Sequence, residues 1–179
     1  QSGRGEQARP VLEQLVKETP NDVTAMESLF RVQAQLKDLT AGRATAENIK
    51  QARADLPLGW YLEGAVSEAE KKYDAAATAY ERALEIQPSA GEPLTALVRV
   101  DAARKQLPLA FARLDKVIAQ QPDNVIARNL KGELLATRGE LDAAAVAFNE
   151  AIAKAPQWWM PYRGLALSHL AGKRNGTAD

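Results

Sequence analysis

Apolar residues recur along this chain in a fixed order ahead of a proline. Ala76, Tyr80 and Ala83 lie twelve, eight and five residues before Pro88. Ala144, Phe148 and Ala151 stand at the same offsets before Pro156, and Ala110, Leu114 and Val117 before Pro122. Steps of four and three residues put each trio on one helical face. The proline then stops the helix, because it has no N–H to donate and its ring clashes with the preceding turn. The three prolines recur at one constant interval. A fixed period in the range of about 20–50 residues predicts stacked supersecondary units, none of which can bury its apolar face alone. Ala and Gly are expected where two antiparallel helices cross, since small side chains let backbones approach. Tyr80, Leu114 and Phe148 are expected to fill the seam between hairpins.

The residues between the prolines identify a family. Trp60, Gly64, Tyr73, Ala76, Tyr80, Ala83 and Pro88 resemble the tetratricopeptide repeat, a helix–turn–helix unit whose length equals the interval between the prolines. A second run has Gly132, Leu135, Gly139, Leu141, Ala144, Phe148, Ala151 and Pro156, with Arg128 in place of the large apolar residue. The unit between them has Leu94, Leu97, Leu107, Ala110, Leu114 and Pro122, but Val98 where a small residue is usual. The resemblance implies an all-α, right-handed α-solenoid of about ten helices. Hairpin turns are expected near Lys71–Tyr73, Lys105–Leu107 and Gly139–Leu141.

The expected organisation is a single array. It comprises a partial repeat over 1–20, a degenerate repeat over 21–57, repeats over 57–90, 91–124 and 125–158, and a partial repeat over 159–179. Ala8, Leu12 and Leu15 precede Pro20 at the usual offsets and read as a second helix. Pro10 is expected in the first turn of that helix, where a proline is tolerated. Between Pro20 and Pro88 the beat breaks, because Ala54 stands where a proline is due and Pro57 follows three residues later. A helix over about Ala44–Ala54, displaced by three residues, is expected there, with a local insertion, a longer connection or a tilted second helix. Trp159, Tyr162, Leu165, Ala166 and Leu170 read as a first helix, expected to pack on residues 125–156 through Tyr162, Leu165 and Ala166. An array that starts and stops in mid-repeat is expected to be a segment of a longer solenoid.

Composition narrows the function. Lys plus Arg and Asp plus Glu each number 23, so formal net charge is zero. That argues against general nucleic-acid binding, which draws on cationic contacts to phosphate. It argues equally against attraction to an anionic membrane, and no apolar run is long enough to insert. There is no cysteine, which excludes disulfides and thiolate chemistry. His169 is the only histidine, so a catalytic triad or multi-histidine metal site is absent from the chain. No catalytic residue, metal site or cofactor is expected, and the reading is non-enzymatic. Lys173-Arg174 reads as a solvated turn.

In arrays of the family it resembles, first helices line the concave face and hold partner segments. Projecting that face gives Glu27, Arg31, Tyr61, Glu68, Thr95, Arg99, Asn129, Glu133 and Arg163 as candidate binding residues. Some members clamp a C-terminal carboxylate with Lys, Asn and Arg. Here Asn129 and Arg99 stand in neighbouring units, but the Lys is missing and Glu133 is close. Trp158, Trp159, Leu167 and Leu170 form a candidate end interface, with one tryptophan and both leucines expected to stay partly exposed. The expected function is a scaffold that binds a protein or peptide segment within a longer bacterial multi-repeat protein. The alternative is an assembly module that self-associates through its open repeat ends. The Ala/Gln-rich repeats and Pro-Asp-Asn turns resemble bacterial envelope and polysaccharide-export arrays, including exosortase-associated repeat proteins. That resemblance places the expected soluble chain in the envelope or periplasm in preference to the cytoplasm.

Overall fold

The computed structural model describes residues 2–175, and among them are ten α-helices and no strand. In order they are α1 (Ser2–Glu18), α2 (Val23–Gln35), α3 (Leu39–Ala52), α4 (Leu58–Ala69), α5 (Tyr73–Ile86), α6 (Gly91–Ala103), α7 (Leu107–Gln120), α8 (Val125–Thr137), α9 (Leu141–Lys154) and α10 (Trp159–Asn175). The fold is an all-α helical-repeat solenoid. Contacts divide it into two compact units, with the boundary between Val100 and Asp101 near the end of α6.

The sequence period is also a period of backbone geometry. The helices α3, α5, α7 and α9 each have 14 residues, and their starts are spaced by the interval that separates the prolines. The turn before each is closed in one way. Lys37, Lys71, Lys105 and Gly139 take left-handed φ values of 59°, 61°, 61° and 82°. The N–H of the following residue reaches back five positions: Asp38 to Gln33, Lys72 to Ser67, Gln106 to Asp101 and Glu140 to Leu135, at 2.8 to 3.0 Å. This closure uses carbonyls that the helix end would leave free. Three of the four positions are lysine, for which that conformation costs about 1 kcal/mol, so the tight hairpin imposes it. The turns lie where the sequence predicts them, and α5, α7 and α9 stop two residues short of Pro88, Pro122 and Pro156.

Two expectations are corrected. Helix α3 is not displaced: it starts and ends one full repeat period before α5. Asp38 caps it by accepting from the Ala41 N–H. Pro57 instead stands at the N-cap of α4, and the one extra residue is absorbed in the loop over 53–57. The proline therefore marks the start of a first helix and not the end of a second. Pro10 does not begin α1 but lies inside it. It is exposed, so water can satisfy the carbonyl that its ring leaves free.

In the first unit, Gly64 of α4 and Tyr80 of α5 set the approach of their helices. A Cβ on Gly64 would lie 2.4 Å from the Tyr80 ring. The preceding hairpin inverts the sizes. Phe30 is the counterpart of Gly64 one period earlier, and Ala46 is the counterpart of Tyr80, so the large group comes from the first helix. Phe30 packs with Met26, Ala46, Ile49, Leu62 and Val66, and Gly42 lies flat against its ring, with a Cβ there meeting it at 3.4 Å. In the second unit, a Cβ on Gly132 would lie 2.6 Å from the Phe148 ring and one on Gly164 of α10 2.5 Å from it. Phe148 is thus wedged between α8 and α10.

A second position pair, twelve residues apart, repeats in every complete hairpin with different chemistry. Thr45 donates to the Gln33 side-chain carbonyl at 2.8 Å, with both residues buried. Ser67 and Ala79 are both small and buried. Asp101, wholly buried, receives Arg113 at 2.8 Å and Arg104 at 3.4 Å. Leu135 and Ala147 make the site apolar. One geometric slot accepts a neutral hydrogen bond, an ion pair or hydrocarbon, provided that both sides agree.

Two tests follow from this packing. Gly132→Leu should cost about 3 kcal/mol by overpacking the Phe148 contact, and adding Phe148→Ala should recover part of that loss, as the Phe30–Ala46 arrangement implies. Urea melts of the parent and the two variants decide it, and an unchanged midpoint for Gly132→Leu would refute the crossing. Arg113→Ala should cost about 3 kcal/mol by weakening the pairing of a buried carboxylate. The double variant Asp101→Leu/Arg113→Ala, which copies the Leu135–Ala147 pair, should be the more stable of the two by the same measurement.

Candidate functional site

The first-unit candidates lie on α2, α4 and α6, and most are engaged with one another. Arg31 donates to Glu27 one turn earlier at 2.8 Å, an exposed pair. Glu68 of α4 is the centre of a larger arrangement. Its carboxylate accepts Arg99 Nε and Nη2 of α6 at 2.7 and 2.8 Å and the Tyr80 hydroxyl of α5 at 2.9 Å. Burial by itself would raise the Glu68 pKa, but the hydrogen bonds from Arg99 and Tyr80 outweigh it and hold the carboxyl below its usual range. Burial, followed by the bond to Glu68, pushes the Tyr80 phenol far up, so it stays a neutral donor. Tyr61 is half-buried with its ring 5.9 Å from that of Tyr80. The Thr95 hydroxyl donates to the Gly91 carbonyl at 2.8 Å. Glu68 and Arg99, expected as dispersed contacts for a partner, are joined as a staple between successive repeats.

In the second unit, Asn129 of α8 is buried, donating its amide to Glu133 at 2.9 Å, while its carbonyl oxygen has no partner. With Asn129 tied to Glu133 and Arg99 tied to Glu68, neither side chain is free for a carboxylate clamp. Glu133 and Arg163 stand on the rim of an open groove of about 540 Å³ between α8, α9 and α10. Its apolar lining includes Phe148, Met160 and Leu167. The sequence reading missed Phe148 and Met160 as groove residues. The available signal was Gly164, whose missing side chain lets α10 close onto the Phe148 ring, which lies buried beneath the groove.

On α10, Trp159, Leu167 and Leu170 are 62%, 53% and 60% exposed, whereas Trp158 before it is half-buried. The helix packs on the preceding hairpin through Pro161, Gly164, Leu165 and Ser168. This corrects the expected set, because Tyr162 and Ala166 are exposed. The Tyr162 hydroxyl donates to the Pro156 carbonyl at 3.0 Å. The reason is helical phase: Pro161, Gly164 and Ser168 form one stripe, and Tyr162 and Ala166 lie on the next. His169 is exposed. Lys173 belongs to α10 and not to a turn, while the Arg174 side chain and residues 176–179 lie outside the described residues. Among the described residues no three His, Cys, Asp or Glu side chains gather to hold a metal, and no helix is long and apolar enough to cross a membrane.

Glu68 supplies a pH test. Its folded pKa is depressed, so its stabilisation is present above the unfolded value and is lost as pH falls through the folded one. Glu68→Gln should therefore lower the urea midpoint at neutral pH, and the gap to the parent should close below about pH 4. An equal gap at neutral and acid pH would show that the carboxylate charge contributes nothing.

The comparisons with known proteins agree with this geometry. One family model described as tetratricopeptide repeat matches residues 1–57 and 95–157, and a second so described matches 57–90. No curated protein matches the sequence. Among solved structures, a thermophilic TPR protein from Thermus thermophilus is similar with a TM-score of 0.69 and 20% identity, over 94% of this chain and 92% of that one. MamA is similar with a TM-score of 0.63 and 18% identity, over 87% of this chain and 91% of that one. YrrB, described as a TPR protein with an unusual peptide-binding site, has a TM-score of 0.57 and 18% identity, over 93% of this chain and 86% of that one. At these identities the likeness is one of fold and gives no support to the envelope resemblance. With two thirds of its residues under one model and the seam residues in their places, the chain belongs to the tetratricopeptide-repeat family.

Proposed function

We propose that this protein-interaction scaffold holds an extended polypeptide segment against its first helices, with the α8–α10 groove as the principal site. The observation that carries the reading is the groove itself. It is open, has Phe148, Met160 and Leu167 in its lining and carries Glu133, Thr137 and Arg163. Apolar lining with a few oriented polar groups is the usual make-up of a recognition site. Arg163 has no ion-pair partner among the described residues, in contrast to Arg31 and Arg99. It is therefore available to a carboxylate on the bound segment. The preferred segment has a large apolar side chain for the Met160–Leu167 surface and an acidic residue near it for Arg163. YrrB carries a peptide-binding site on the same fold.

Panning a random dodecapeptide display library against the whole chain tests this reading. Selected peptides should combine an aliphatic or aromatic residue with a nearby Asp or Glu. Arg163→Glu should weaken them about tenfold, which is about 1.4 kcal/mol, and Leu167→Ser by a similar factor. Arg82→Glu, on the exposed surface of α5, should leave them unchanged. Peptides indifferent to both groove variants, or no selected peptide, would overturn the assignment.

A further inference from the structure

Two helices present faces whose counterparts are buried or half-buried in the complete hairpins. Helix α10 is in the register of a first helix. Its Tyr162, Ala166 and His169 fall one period after Arg128, Gly132 and Leu135. On α8, Gly132 and Leu135 are buried, with Gly132 against the Phe148 ring and Leu135 packed with Ala144, Ala147 and Phe148 of α9. On α10 all three counterparts are exposed. No helix plays the part of α9 for α10 among the described residues. Helix α1 is in the register of a second helix and shows the converse. Its Ala8, Val11, Leu12 and Leu15 fall one period before Gly42, Thr45, Ala46 and Ile49. On α3 those four are buried, with Gly42 against Phe30 and Thr45 bonded to Gln33 of α2. On α1, Val11 is 67% and Leu15 40% exposed, while Ala8 and Leu12 are half-buried.

The two faces match each other position by position. Aligned as a hairpin, α10 and α1 would set Ala166 opposite Leu12, small against large. That is the order of Gly132 with Phe148 and Gly64 with Tyr80. The slot filled by Gln33–Thr45, Ser67–Ala79, Asp101–Arg113 and Leu135–Ala147 would receive His169 and Val11. This site already holds four different pairs of side chains. Leu15 and Tyr162 extend the same seam with apolar surface. We infer that α10 of one molecule and α1 of a second copy of this chain pair into a composite hairpin, joining copies head to tail. The contact is heterologous, so each molecule in a chain of copies uses both faces. It is independent of the peptide groove, since none of Val11, Leu12, Ala166 and His169 lines it.

Sedimentation velocity on the whole 179-residue chain, from low micromolar to submillimolar concentration, reads the assembly directly. The weight-average mass of the parent should rise with concentration beyond that of a dimer. Val11→Lys disables the α1 face and Ala166→Glu the α10 face. Both positions are exposed in the isolated chain, so helical circular dichroism and melting temperature should stay close to the parent. His169→Glu serves as a second α10 variant. Each variant should stay monomeric alone. An equimolar mixture of Val11→Lys and Ala166→Glu keeps one intact pair of faces, and should form dimers and nothing larger. A parent that stays monomeric throughout overturns the inference, as does assembly unaffected by the variants. A mixture that stays monomeric while the parent assembles overturns the head-to-tail geometry.

Discussion

The close approach of two antiparallel helices at a residue without a side chain is the constraint from which the rest of this structure follows. At Gly64 and Gly132 the facing aromatic ring occupies the volume that a Cβ would need. The ring is then wholly buried, and truncating such a side chain to Ala typically costs about 3 kcal/mol or more. Because the void and the ring come from different helices, neither helix can rotate or slide without opening a cavity. The pairing fixes the crossing, and the left-handed residue in the turn between the two helices, Lys71 or Gly139, fixes the hairpin that makes it. The Phe30–Ala46 hairpin shows that the fold needs the summed volume and not a particular order of large and small.

Polar groups follow the packing instead of directing it. The buried slot repeated in each complete hairpin holds Gln33–Thr45 in one place and Asp101–Arg113 in another, with hydrocarbon in a third. A buried ion pair in such a slot is weak evidence for added stability, since an apolar pair of similar volume performs comparably. Its effect is to demand a matched partner, which guards the register of one hairpin against its near-identical neighbours. The Glu68 arrangement acts between repeats. One carboxylate satisfies the hydroxyl of a buried Tyr80 and takes both donors of Arg99 from the next first helix. In the first unit the projected charges of Glu27, Arg31, Glu68 and Arg99 are therefore paired with one another.

Repeat architecture also explains why recognition surfaces arise at particular helices. Inside the array most apolar residues at the helix-crossing positions are buried, as at Ala76, Tyr80, Ala144 and Phe148. Where a covering helix is absent, residues of the same type at the same register become surface, as at Val11 and Tyr162. Gly164, by contrast, lets α10 close onto the Phe148 ring, and the ring stays buried beneath the groove.

Much of this was legible from spacing alone. The proline beat, the Ala and Gly crossings and the turns near Lys71, Lys105 and Gly139 are local facts, because helical periodicity and turn chemistry act over a few residues. The misreadings have a common physical origin. Pro57 was expected to end a helix and instead begins one, and Pro10 lies inside α1, because a proline constrains only its own φ and one hydrogen bond. Which side of a boundary it marks depends on the caps and contacts around it. Likewise, Glu68 and Arg99 are 31 residues apart, and no spacing rule states that they meet. Nor could the sequence say that Pro161, Gly164 and Ser168, and not Tyr162 and Ala166, face the preceding hairpin. Both stripes obey the same period, and only the packed neighbours select the phase. The sequence determined which helices form and where they fold back. The tertiary structure decided which polar groups consume one another and which apolar faces remain for a partner, since both depend on surfaces that are distant in the chain.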